Sequence, residues 1–146
     1  MRHRVERKRL NRDADHRKAL LMNLAQELIK HEKIETTLVK AKYVKPYIEQ
    51  LITKAKEATE TTDKIRTFNI VKQIRTKLNS EELIRKLVED LGPRYKGING
   101  GYTRVARTRY RDGDKALMAR IELTQREVKK EAKKEAKKVT KKNEKN

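Results

Sequence analysis

Between Leu91 and Arg111, arginine, lysine, tyrosine and glycine alternate, and no carboxylate appears until Asp112. Arg94, Lys96, Arg104, Arg107, Arg109 and Arg111 are interleaved with Tyr95, Tyr102 and Tyr110. This is a phosphate-binding composition, in which guanidinium groups pair with phosphate oxygens and rings or guanidinium planes stack on exposed bases. Four of the five glycines fall between Gly92 and Gly101. At Gly97, Gly100 and Gly101 no side chain holds a second surface away, so backbone amides can approach an anion closely. The Leu91-Gly92-Pro93 triplet predicts that a helix stops there, glycine taking the left-handed position and proline refusing to continue the ladder.

Other chemistries find little support. His3, His16 and His31 have no second ligand at metal spacing, and the chain has no cysteine for thiolate sites or disulfides. His16 beside Asp13 and Asp15 is the sole acid-base pairing a nuclease could use, and no convergent nucleophile, base and oxyanion donor accompanies it. Gly97 and Gly100 form a Gly-x-x-Gly, but it precedes a strand and lacks the Gly-Lys-Ser/Thr of a nucleotide loop. The expectation is a protein that is not an enzyme, with no cofactor and no small-molecule substrate.

The charge supports a polyanion as partner. The 146 residues carry 40 basic and 21 acidic side chains, a net charge of +19, with only 35% hydrophobic residues. Residues 1–18 hold 8 basic and 3 acidic groups, residues 94–126 hold 9 and 3, and residues 127–146 hold 9 and 4. The 14 basic and 11 acidic groups of residues 19–93 nearly balance. A chain that was basic for solubility alone would not need this segregation. No stretch approaches the roughly 18 apolar residues of a membrane span, and the amino terminus has no apolar segment of the kind that directs secretion, so no membrane partner is expected.

The elements that must position these cations follow from periodicity. Leu21, Leu24, Ala25 and Leu28 mark one face of a helix that Asp13 or Asp15 can cap and that ends near Lys30 and His31. Ile34, Thr36 and Leu38 alternate as a short strand, and Thr37 then caps a second helix with Ala41, Val44, Ile48, Leu51, Ile52 and Ala55 inward. Pro46 inside it predicts a kink near Lys42 or a break at Lys45. Thr61-Thr62-Asp63 starts a third helix with Ile70, Val71, Ile74 and Leu78 inward. Asn79 or Ser80 starts a fourth carrying Leu83, Ile84, Leu87, Val88 and Leu91. A strand from Tyr102 to about Arg109, an Asp112-Gly113 turn, and a returning strand make a hairpin. In the returning strand Leu117, Ala119, Ile121 and Leu123 share one face, with Met118, Arg120 and Glu122 on the other.

The fold class expected is therefore α+β, a small antiparallel sheet of about three strands packed against about four helices. Residues 1–14 form a basic, disorder-prone N-terminal arm, residues 15–123 a single α+β domain, and residues 124–146 a Lys/Glu/Ala-rich flexible or helical tail.

Several motifs then occur in one order. Met1-Arg2-His3-Arg4, Leu10-Asn11-Arg12 followed by His16-Arg17, Glu35-Thr36-Thr37-Leu38 with Lys40-Ala41-Lys42, and Leu91-Gly92-Pro93-Arg94-Tyr95 with Gly100-Gly101-Tyr102-Thr103-Arg104 together resemble the bacterial-type large-subunit ribosomal protein seventeen family. The resemblance runs from residue 1 to about residue 123. It implies an α+β structural constituent of the large ribosomal subunit, bound to large-subunit rRNA near the nascent-chain exit, beside neighbouring large-subunit ribosomal proteins in the cytoplasm.

The residues expected at the RNA are Arg2, His3, Arg4, Arg7, Lys8, Arg9, Arg12, His16 and Arg17 of the arm and the helix start. Lys40 and Lys42 join them from the second helix. The loop and hairpin contribute Arg94, Tyr95, Lys96, Gly100, Gly101, Tyr102, Arg104, Arg107, Arg109 and Arg111. Two rivals use the same charge: a nucleoid-type DNA-compacting protein, which would need a dimer or wedge residues, and a nuclease or RNA-modifying enzyme centred on His16.

Overall fold

The computed structural model describes residues 9–125. The expected contacts of Arg2, His3, Arg4, Arg7 and Lys8, and the helical reading of residues 126–146, lie outside the described residues. The element order is α1 (Ala14–His31), β1 (Lys33–Thr37), α2 (Leu38–Glu60), α3 (Lys64–Arg75), α4 (Glu81–Lys86), a π-helical turn (Leu87–Leu91), a last α-helical turn (Gly92–Arg94), β2 (Thr103–Tyr110) and β3 (Leu117–Leu123). The α+β reading holds: four helices pack with a three-stranded antiparallel sheet whose order is β1-β3-β2.

The apolar stripe of α2 organises the core. Ala41, Val44, Ile48, Leu51, Ile52 and Ala55 are all fully buried, and α2 packs against α1, α3, the π turn and all three strands. On the sheet, Ala119, Ile121 and Leu123 of β3 join this core. Ile34 and Val105 flank Ile121 in register, so the inner face is apolar and the outer face carries charge, as the period-two pattern requires.

Pro46 does not break α2, which runs unbroken for 23 residues. A proline inside a helix costs about 3 kcal/mol, but buried side chains on both sides of it, from Ala41 to Ala58, hold the helix on the core and outweigh that cost.

The expected stop at Gly92 is corrected. Gly92 lies at φ −54° and ψ −57°, right-handed, and the chain stays helical to Arg94. Its amide donates to the Leu87 carbonyl, five residues back, so the helix widens by one residue instead of ending. Pro93 then falls at the start of a fresh turn, where its missing amide costs little. A Cβ at Gly92 would come within 2.9 Å of Thr59 Cγ2 and 3.0 Å of the Ala55 carbonyl oxygen. Glycine is needed there for close approach to α2. The helical run gives way to turn geometry at Tyr95, and Gly97 follows at φ +82°.

Caps are looser than expected. Asp63 accepts from the Ile65 amide at 2.9 Å, but Asp13, Thr37 and Ser80 stand at their N-cap positions with no side-chain hydrogen bond. The hairpin forms, with a wider turn than an Asp112-Gly113 pair alone would give. The Arg111 amide donates to the Ala116 carbonyl and the Lys115 amide to that of Arg111, and the left-handed residue is Lys115 at φ +52°.

Candidate nucleic-acid interface

The loop from Lys96 to Gly101 is exposed except for Ile98, which packs on the core, and it is anchored by Tyr95 and Lys56. Tyr95 beneath it is fully buried, its ring edge-on to Tyr102 with centroids 5.1 Å apart. The Tyr95 hydroxyl donates to the Tyr102 carbonyl at 3.0 Å and accepts from the Gln125 amide at 3.1 Å. Lys56 of α2 reaches across and donates to the Ile98 carbonyl at 3.0 Å and to Asn99 Oδ1 at 2.9 Å. Gly97, Gly100 and Gly101 all have positive φ. Nothing lies within 4 Å of where their side chains would stand, so conformation and not crowding selects glycine.

The two tyrosines expected to stack on bases are therefore inside the protein. Tyr95 is 0% and Tyr102 3% exposed, and their rings are packed against each other where no base can enter. They support the loop from beneath.

Arg94 is placed just as firmly. Its side chain is 12% exposed, and it donates to Glu32 at 2.9 Å and to both oxygens of Asp90 at 2.7 and 2.8 Å. It also donates to the Gln125 carbonyl at 3.1 Å. Burial works against its charge, but the hydrogen bonds and charges of Asp90 and Glu32 outweigh that and hold its pKa above the ordinary arginine value. Glu32 follows α1 in the left-handed conformation, and Lys86 lies 3.9 Å from it. The group ties α1, the last helical turn and the end of β3 together.

The remaining cations stand on the hairpin. Cross-strand partners share a face, so Lys33, Glu122 and Arg104 form one row of the outer sheet face, and Glu35, Arg120 and Ala106 the next. Glu122 receives two hydrogen bonds from Arg104, the Nε bond at 3.0 Å. Glu35 accepts from Thr108 at 3.2 Å and lies 3.6 Å from Arg109. Arg107 pairs in register with Ala119 and so belongs to the opposite face. It is exposed all the same, because β2 is open to solvent on both faces from Ala106 to Tyr110. At the tip Arg111 donates to Asp114 at 2.8 Å from Nε and holds that carboxyl far below the usual carboxylate range. Arg107 and Arg120 have no carboxylate within ion-pair distance among the described residues. The hairpin is thus a grid of two kinds of cation. Glu122 and Glu35 fix the orientation of Arg104 and Arg109, while Arg107 and Arg120, on opposite faces, remain available to a phosphate.

Of the expected residues at the start of α1, Arg9 is exposed, Arg12 Nη1 meets His16 Nε2 at 2.5 Å, and Arg17 donates to the Arg12 carbonyl at 3.3 Å. His16 lies 3.9 Å from Asp13 on an exposed helix start. Among the described residues no group of three or more His, Asp or Glu side chains could hold a metal ion. Lys40 is half-buried and Lys42 exposed on the first turns of α2. Lys96 is exposed on the loop.

Sequence reasoning passed over Arg120 and Lys56. Arg120 was legible, since the alternation in β3 puts it opposite the core face. Lys56 was not, because its loop partners are 42 and 43 residues away.

Residues 20–124 match the family described as Ribosomal protein L17. The large ribosomal subunit protein bL17 of Petrotoga mobilis is 46% identical over 127 residues, covering 87% of this chain and 99% of that protein. The bL17 of Fervidobacterium nodosum is 44% identical over 127 residues, 86% of this chain and 100% of its own. That of Aliarcobacter butzleri is 46% identical over 119 residues, covering 82% and 96%.

Proposed function

The chain belongs to the ribosomal protein L17 family, and from that premise we propose that it holds large-subunit rRNA with its exposed hairpin, the glycine loop and its basic N-terminal arm. It is a structural, non-enzymatic constituent of the large ribosomal subunit. Its place near the nascent-chain exit, its neighbouring ribosomal proteins and its cytoplasmic ribosome are carried by the resemblance of its motifs.

The observation that carries the binding mode is the grid on the hairpin. Lys33, Glu35, Arg104 and Arg120 of the outer face are all exposed, as is Arg107 behind them. These arginines are spaced by strand geometry, and two carboxylates orient those that they pair with. Such a surface reads the shape and phosphate spacing of folded RNA and not its base sequence. The balanced middle of the chain supplies the rigid core, and the exposed loop amides can meet an RNA backbone that a side chain would keep away.

Sedimentation of cell extract through sucrose at low and high salt, following this protein, tests the reading. Travel with the large subunit that survives high salt is expected; migration with DNA, or at the top of the gradient, sinks it. For the binding mode, replacing Arg107 and Arg120 by alanine is expected to flatten the salt dependence of rRNA binding by about one logarithmic unit for each arginine–phosphate pairing removed. An unchanged slope removes the hairpin from the interface.

A further inference from the structure

We propose that the outer face of α3 is a second RNA contact, a stacking platform on which an unpaired nucleotide lies against Phe68 with its phosphates bracketed by Lys64 and Lys72. The inference rests on the RNA-binding reading above and extends it to an element outside the arm, loop and hairpin. Phe68 is the one phenylalanine of the chain, and it is 61% exposed on a helix whose Ile70 and Ile74 supply the buried side. Core packing gives it no purpose.

Lys64, Phe68 and Lys72 succeed one another at i, i+4 and i+8 on one stripe, so a cation stands one turn, about 6 Å of axis, on either side of the ring. Between Lys64 and Arg75 there is no acidic residue. Of the four cations on α3, Arg66 is taken by Glu57 and Arg75 by Glu81. Lys64 and Lys72 have no carboxylate within ion-pair distance among the described residues. Asn69, next to the ring and exposed, can offer an amide to a base edge. The adjacent Ile65, 73% exposed, gives an apolar shoulder for a ribose.

Two exposed side chains are less apolar surface than a stable protein interface presents at its centre. A second copy of this chain would bring like charges face to face. A polyanion with flat rings satisfies both halves of the stripe. Because α3 packs on α2 and α4, with its stripe turned away from them, this contact is separate from the sheet grid.

The chain contains no tryptophan, so Phe68→Trp places a unique fluorophore on the stripe and Tyr110→Trp places one on the hairpin. Full-length Phe68→Trp protein titrated with poly(U) is expected to lose roughly half or more of its indole emission as binding saturates, the signature of base stacking. Phe68→Ala is expected to weaken poly(U) binding by roughly tenfold, and Lys64→Ala with Lys72→Ala to flatten the salt slope. Undiminished poly(U) binding by Phe68→Ala, with quenching in the Tyr110→Trp protein alone, overturns the α3 contact and spares the hairpin reading. Failure of the unmutated chain to bind either poly(U) or rRNA overturns both. Indole emission of the Phe68→Trp protein that ignores RNA but shifts to the blue with a purified fraction of large-subunit proteins overturns the platform in favour of a protein neighbour.

Discussion

Arg94 and Arg107 are thirteen positions apart in one basic stretch and do opposite things. Arg94 has a side chain 12% exposed, clamped between Glu32 and Asp90. Arg107 stands on β2 open to solvent with no acidic partner among the described residues. Between them lies Arg104, 72% exposed and bound to a nearly buried Glu122. The three differ in where the nearest carboxylate folds to. An arginine serves the fold when two carboxylates enclose it, is aimed when one holds it from below, and is available when none does.

The sharpest way to break this contrast is to delete each charge. Arg94→Met leaves a nearly buried Glu32 and a half-buried Asp90 without their guanidinium, and unfolding free energy is expected to fall by about 3 kcal/mol. Thermal denaturation checks it, with a drop of about 10 °C or more for a chain of this size. Arg107→Ala is expected to change stability by less than about 0.5 kcal/mol while weakening RNA binding. Equal melting temperatures for the two variants would erase the distinction.

Gly92→Ala sets local preference against tertiary contact. In a right-handed helical conformation alanine gains about 1 kcal/mol over glycine, yet its Cβ meets Thr59 and the Ala55 carbonyl at about 3 Å. Overpacking of this kind costs about 1 to 3 kcal/mol, and because Ala55 presents backbone the collision cannot be relieved by a rotamer change alone. Net destabilisation of about 1 kcal/mol is expected in chemical denaturation. A stabilised variant would show that the last helical turn and α2 can part at no cost.

Tyr95→Phe is expected to cost about 1 kcal/mol, because the Gln125 amide loses its acceptor while the Tyr102 carbonyl keeps the Thr124 amide. Its poly(U) salt slope is expected to stay unchanged, since the ring meets no ligand. A flattened slope with an intact melting transition would return Tyr95 to the interface.

Elements set by local pattern were legible in the sequence. The β3 alternation, the α2 stripe and the closing hairpin all follow from periods of two and 3.6, and the structure has them. What was not legible came from distant pairs. Arg94 reads as a phosphate ligand until Glu32, 62 positions away, folds over it. Gly92 reads as a stop until Thr59 and Ala55 come within reach. Tyr95 reads as a stacking surface, and Tyr102 as a stacking surface or a core ring, because spacing alone cannot say on which side of a loop a ring lies. The glycine loop was recognised from composition, while its anchor, Lys56, belonged to a helix with its own periodic explanation.

The smallest effect belongs to the hairpin tip, where Asp114 is exposed and yet strongly held by Arg111. The sign follows from the direction of the shift. A carboxyl whose folded pKa is depressed contributes stability at pH values above its unfolded pKa near 4 and loses it as pH falls through the folded value. Asp114→Asn is therefore expected to lower the melting temperature slightly at pH 7, with the gap to the unmutated chain narrowing steadily below pH 4. The same substitution converts Arg111 from a paired to an unpaired arginine. If availability is set by the nearest carboxylate, Asp114→Asn is expected to steepen the salt dependence of RNA binding by up to one phosphate's worth, about 0.7 to 0.9 logarithmic units. A slope that stays put while the pH difference appears would mean that Arg111 points away from the RNA, and that freeing a guanidinium matters only where the strands themselves present it.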